Sequence, residues 1–105
     1  MAIKRGTTPT HIITTDVDLR DAKNIYITYS QNTYNVVEKT KDDLEELTEE
    51  YIKVRLTQSE TLRFKEKGKI LVQIRAIFAD GTAIESNMME TNANKILKEG
   101  VIWQT

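Results

Sequence analysis

Tyr51-Ile52-Lys53-Val54-Arg55-Leu56 and, further on, Lys69-Ile70-Leu71-Val72-Gln73-Ile74-Arg75-Ala76-Ile77-Phe78 place an apolar residue at every second position. Side chains of a β-strand alternate between two faces, so this period marks strands with one face turned to a core. Between them, Thr57-Gln58-Ser59-Glu60 has the spacing of a capping box. The Thr57 hydroxyl accepts an amide one turn on, and Glu60 reaches back to the Thr57 amide. One short helical turn is therefore expected near residues 58–64, with Leu62 and Phe64 plugging the end of a sandwich and Gly68 supplying a positive φ at the exit. Asp80-Gly81 is a hairpin signal, and Thr82 to Thr91 should return antiparallel to the long strand.

Upstream, Ile25, Ile27 and Tyr29 alternate with Tyr26, Thr28 and Ser30, the pattern of a central strand over 23–31. Gln31-Asn32 supplies a tight turn, because Asn tolerates a left-handed backbone, and Thr33 to Lys39 forms the return strand. Thr10-His11-Ile12-Ile13-Thr14-Thr15 is a β-prone run beside the only proline, Pro9, which suits an edge strand. Residues 1–9 lack any period and read as an extended arm, and 16–21 as a turn-rich connection. Residues 40–50 are ambiguous: Leu44, Leu47, Tyr51 and Val54 also fit a helical spacing. A helix there would stack like charges at Asp42/Glu46, Glu45/Glu49 and Glu46/Glu50, which favours an acidic connection turning into a strand near Tyr51. Asn92 to Gly100 admits a short helix around Ile96-Leu97, and 101–105 is a tail. The runs sum to about seven short strands and one helical turn, an all-β, immunoglobulin-like antiparallel β-sandwich over residues 10–100. A small α+β domain is the alternative if 40–50 is helical.

The chain has 105 residues, enough for one core. Its formal net charge of -1 supplies no long-range field for nucleic acid or an anionic membrane. With no cysteine, a disulfide framework, a thiolate zinc site and a cysteine nucleophile are all excluded. No segment approaches the ~20 apolar residues of a helical membrane span, and the N-terminus has no apolar run behind its basic residues, so a soluble protein made without a secretory signal is expected.

Candidate chemistry is sparse. His11 is the sole histidine, and histidine-dependent catalysis needs an orienting carboxylate or converging metal ligands that the sequence does not specify. Asp16, Asp18 and Asp21 resemble a hard-oxygen cation cluster, but they lack the glycine and distal glutamate of an EF-hand and read more simply as turn-forming residues. The acidic run from Asp42 to Glu50 reads as a solvated connection rather than paired glycosidase carboxylates. Four isolated glycines form no phosphate-cradling loop. No catalytic residue, cofactor or metal site is expected, and an enzyme is not. Lys53, Arg55, Gln73 and Arg75 are weighed as a basic stripe against ordinary solvated charge. Tyr26, Tyr34, Tyr51 and Trp103 are weighed as a sugar-stacking platform against rim packing. The interaction candidates are Val101, Ile102 and Trp103 in the tail, with Tyr26 and Tyr34.

Taken as a set, R-G-T-T-P-T (5–10), K-N-I-Y-I-T-Y-S-Q (23–31), I-K-V-R-L-T-Q-S-E-T-L-R-F (52–64), V-Q-I-R (72–75) and A-D-G-T-A (79–83) resemble a group of small prophage proteins of Gram-positive bacteria. The resemblance implies a non-enzymatic tail or baseplate-associated role through contacts with other phage structural proteins or with itself. It places the protein in the bacterial host cytoplasm during assembly, or in the virion. A carbohydrate-binding, host-attachment module is the alternative, with a glycan as ligand. Nucleic acid and membrane are not expected partners.

Overall fold

A computed structural model describes residues 2–66, 68–86, 89–94 and 101–102, with the side chains of 2 and 92–94 left aside. Nine strands build two sheets: β1 (Ala2–Lys4), β2 (Thr10–Thr14), β3 (Ala22–Gln31), β4 (Tyr34–Thr40), β5 (Leu44–Leu47), β6 (Tyr51–Arg55), β7 (Lys69–Phe78), β8 (Ala83–Glu85) and β9 (Met89–Asn94). The larger sheet runs β1-β9-β7-β3-β4, with β8 also on β7, and the smaller runs β2-β6-β5. Of these, β9-β7-β3-β4 takes the order G-F-C-C′ and β2-β6-β5 the order B-E-D in immunoglobulin variable-type lettering, with β1 added outside β9. The expected all-β sandwich is the observed one. Among the described residues its strands number nine rather than seven, and one pairing, β1 with β9, is parallel.

The core follows from the strand period. Ile25, Ile27 and Tyr29 of β3 and Ile70, Val72, Ile74 and Ala76 of β7 are buried and face Ile52 and Val54 of β6 across the sandwich. Helix α1 (Gln58–Thr61) starts at the expected capping box: the Glu60 amide donates to Thr57 Oγ1 at 3.1 Å and the Thr57 amide to Glu60 Oε1 at 2.8 Å. Phe64, just past the helix, is buried in the core as its sequence position implied.

Four expectations need correction. The first is the N-terminal arm. Ile3 is fully buried, and Arg5 donates to the Phe64 and Leu62 carbonyls at 2.6 and 3.2 Å, so these residues belong to the sandwich. A three-residue strand is too short to display a period, which is why it read as featureless.

The second is the acidic connection. A 3-10 turn over Lys41–Asp43 leads into β5, antiparallel to β6. A β-bulge between Leu44 and Glu46 puts one extra residue on this strand, so Leu44 and Leu47 both turn inward although they are three apart. The helix-like spacing is thus a bulged strand.

The third is Gly68, which has no positive φ. A Cβ there would sit 2.2 Å from Gln31 Nε2. Gln31 yields only by giving up its pairing with Lys65, in which Nε2 donates to the carbonyl at 2.8 Å and the Lys65 amide donates to Oε1 at 2.7 Å. Gly68→Ala should cost about 1–3 kcal/mol, the penalty for unpairing buried polar groups. An unchanged urea midpoint would show that Gln31 moves aside freely.

The fourth is the return strand after Asp80-Gly81. The turn forms, with Gly81 at φ 90°, but the pairing comes in two pieces, β8 on Arg75–Ile77 and β9 on Lys69–Val72. Asn92 to Asn94 continue β9 as strand, and 95–100, where the helix was expected, lie outside the described residues.

Candidate functional site: an open flank beside a buried polar relay

On β2, residues with odd numbers bond to β6. The Thr15 amide donates to the Glu50 carbonyl at 2.9 Å and the Leu56 amide to the Pro9 carbonyl at 3.0 Å, which sets the ladder phase. Opposed residues in an antiparallel ladder alternate between bonded and non-bonded pairs. The amides and carbonyls of Thr10, Ile12 and Thr14 therefore point away from β6, and among the described residues no strand meets them. In an immunoglobulin B-E-D sheet, strand A covers that edge of B. Here the first strand has crossed to the other sheet, beside β9.

The uncovered edge borders a cleft between the sheets. One part, about 210 Å³, lies among His11, Ile13, Tyr29, Val72, Met89 and Thr91. A larger part, about 480 Å³, continues past Thr15, Leu19, Ile74 and Ile84. Thr15 Oγ1 on this wall is buried without a hydrogen-bond partner among the described residues. Ile12 stands on the outer face of β2, 63% exposed, and Val17 follows at 46%.

The floor of the smaller part is polar and locked. His11 Nδ1 and the Tyr29 hydroxyl are 2.6 Å apart, a hydrogen bond that ties β2 of one sheet to β3 of the other. The Tyr29 ring meets Phe64 edge-on at 6.1 Å. Antibody domains carry an inter-sheet disulfide from B to F and a Trp on C. This cysteine-free chain has His11 on the B strand, Val72 on F and Tyr29 on C. Burial lifts the Tyr29 phenol far above its ordinary value, with the Glu60 charge adding to the effect. Burial lowers His11. The phenol keeps its proton and the imidazole is neutral, and the ring tautomer sets which of the two donates, so the pair works as a structural clamp. Nearby, Lys39 Nζ and a Glu60 carboxylate oxygen are 2.6 Å apart and nearly enclosed. Despite the burial that raises it, Glu60 is held below its ordinary value by the Lys39 and Thr57 hydrogen bonds and the Lys39 charge.

The lowered His11 pKa has a pH consequence. The unfolded chain takes up a proton on His11 at a higher pH than the folded chain does, so stability rises with pH across that interval. The full stability is present above about pH 6.5, the unfolded value, and falls as the pH drops toward the folded pKa. Urea midpoints measured from pH 7.5 to 5 should decline for this chain, whose only histidine is His11, and the decline should be absent in His11→Gln. Equal slopes in the two proteins would contradict this account.

The sequence candidates are dispersed rather than gathered. Tyr26 faces outward on β3, whereas Tyr34 pairs with Gln31 and so takes the opposite face of the same sheet. They share no platform for a sugar. The Tyr51 hydroxyl is bound to Glu46 on the smaller sheet. Lys53 and Arg55 lie on that sheet, and Gln73 and Arg75 on the other, so no single basic stripe forms. The Asp18 carboxylate is engaged by Arg20 through the side chain at 2.8 Å and the backbone amide at 3.0 Å, which makes it a turn residue. No metal-binding group of His, Asp or Glu occurs among the described residues. The acids from Asp42 to Glu50 are spread over a cap, a strand and a turn. Val101 and Ile102 fold back toward α1, where Gln58 pairs with the Ile102 backbone at 2.8 and 3.0 Å. Trp103 lies outside the described residues. Among those residues no helix is long and apolar enough to cross a membrane.

The edge of β2 was legible in part, from Thr10 to Thr15 reading as an edge strand. That its outer side lacks a neighbour among the described residues was not, because the departure of β1 to the other sheet leaves no mark on residues 10–15.

No protein-family model matches the chain, and no curated protein does. Among solved structures it is similar to the V domain of amphioxus IgVJ-C2, at 12% identity and a TM-score of 0.37, over 90% of this chain and all of that one.

Proposed function

We propose that this chain is a non-enzymatic structural module that acts by protein–protein contact, in the setting its sequence resemblance implies, the tail or baseplate of a phage particle. The observation that carries the reading is the edge of β2, uncovered among the described residues, beside the cleft between the sheets. A row of unpaired amides and carbonyls is a template for a strand from another chain, and natural sheets blunt such edges with charge, proline or a bulge. Thr10-His11-Ile12-Ile13-Thr14 carries no charged residue and no proline. The histidine and phenol on the cleft floor also favour the reading, since they are engaged with each other.

The reading is tested by quantitative mass spectrometry of purified particles from a prophage that encodes this chain, with cross-linking before disruption. A fixed stoichiometry with other particle proteins, and cross-links from residues bordering β2, is the expected result. Particles free of the chain would overturn it.

A further inference from the structure

We infer that β2 is a self-association strand: two copies of this chain pair antiparallel through it about a two-fold axis at Ile12, joining their smaller sheets into one. The inference rests on the contact reading above and names its partner.

The register carries it. With the axis at Ile12, Ile12 faces Ile12 of the second copy, Thr10 faces Thr14, and His11 faces Ile13. The outward backbone groups belong to Thr10, Ile12 and Thr14, so every pairing that this axis makes between them is of the mutually bonded kind. A shift of one residue would set outward groups against inward ones. Side chains agree with the backbone. Thr10, Ile12 and Thr14 are all exposed on the outer face, so the axis sets two isoleucines together between two threonine pairs. Such isologous contact is the commonest way for a chain to bind its copy.

Charge does not oppose it. Lys53 is the neighbour of Ile12 on β6, and its counterpart in the second copy lies three strand spacings away, about 14 Å, beyond the ~8 Å screening length at physiological salt. Five residues of strand edge bury less than the ~1,200 Å² of a stable interface, so the dimer belongs to the weak, transient class. Dissociation in the range of tens of micromolar is expected, strong enough to matter where copies are held together in a particle.

The absence of cysteine gives a direct test on the full chain. Ile12→Cys places one thiol from each copy across the axis, with Cα atoms about 5.5 Å apart, within reach of a disulfide. Under oxidised glutathione it should form a covalent dimer at least tenfold faster than Thr10→Cys, whose thiols would stand about 14 Å apart. Sedimentation of the unmodified chain from 5 to 500 μM should show a monomer–dimer equilibrium. Ile12→Lys, an exposed change that sets two ammonium groups face to face, should remove it while leaving the circular dichroism unchanged. Ile12→Cys and Thr10→Cys oxidising at equal rates, or a chain that is monomeric at every concentration, would overturn the β2 pairing. Incorporation of Ile12→Lys into particles at the normal level would then leave the contact reading standing, whereas absence of the unmodified chain from particles would overturn that reading.

Discussion

Deleting residues 1–6 should lower the stability of the sandwich by about 3–6 kcal/mol, read as a large drop in urea midpoint. Ile3 is fully buried between the sheets, and removing such a side chain forfeits about 1.5–3 kcal/mol of burial. Arg5 supplies charged hydrogen bonds to the Phe64 and Leu62 carbonyls, and the Gly6 amide donates to Thr61 Oγ1 at 3.0 Å. Hydrogen bonds to charged groups add about 1.5–3 kcal/mol. Deletion also strips β9 of its outer neighbour. Since a domain has only about 5–15 kcal/mol in all, the truncated chain should sit near its unfolding transition at 37 °C. Ile3→Ala isolates the first contribution and should cost about 2–5 kcal/mol. A truncated chain with the midpoint of the full one would show that residues 1–6 are dispensable, and would restore the view of them as an arm. The distinction matters for function, because loss of particle incorporation after such a deletion would report unfolding rather than a lost contact.

Where the sequence was legible, side-chain period and local geometry pointed the same way. β7 has ten residues of alternation, and β3 has a run nearly as clear. The capping box at Thr57 and Glu60 is a contact between neighbours in sequence, so its spacing suffices to specify it. Features set by distant pairing were not legible. The bulge at Leu44 to Glu46 converts an odd spacing into a same-face pair, and only the register against β6 reveals it. Gly68 is required by Gln31, 37 positions away, rather than by its own backbone. The hairpin shows both behaviours. Asn32 takes the left-handed conformation its type allows, at φ 53°, but so does Thr33 at φ 68°, where a β-branched residue is strained. The bulge at Tyr29 and Ser30 then sends Tyr34 to the face opposite Tyr26. The candidate flank has the same origin: an uncovered edge is a property of where β1 goes, and nothing in Thr10 to Thr14 encodes it.

Tyr29→Ala should be the most damaging single substitution near the flank, costing about 3–5 kcal/mol for the cavity left by a fully buried aromatic ring. It removes the edge-on partner of Phe64 and leaves His11 Nδ1 without its hydrogen-bond partner. Because a loss of that size is a large share of a domain's total stability, the informative experiment is a double-mutant cycle on the hydroxyl. Tyr29→Phe keeps the ring and should cost about 1–3 kcal/mol, since a buried ring nitrogen loses its hydrogen-bond partner. His11→Leu should cost a similar amount by stranding the phenol. The double variant should be more stable than the sum of the singles implies, by about 0.5–3 kcal/mol, the range seen for residues in contact. Strict additivity would mean that the two side chains do not depend on each other and that β2 is held in place by its ladder to β6 alone. If the coupling is found, the clamp fixes β2 from within at the residue next to Ile12. The outer edge of the strand then stays flat and in register while its inner face is bolted to the opposite sheet, which is the preorganisation that a short strand needs to recruit a partner at low entropic cost.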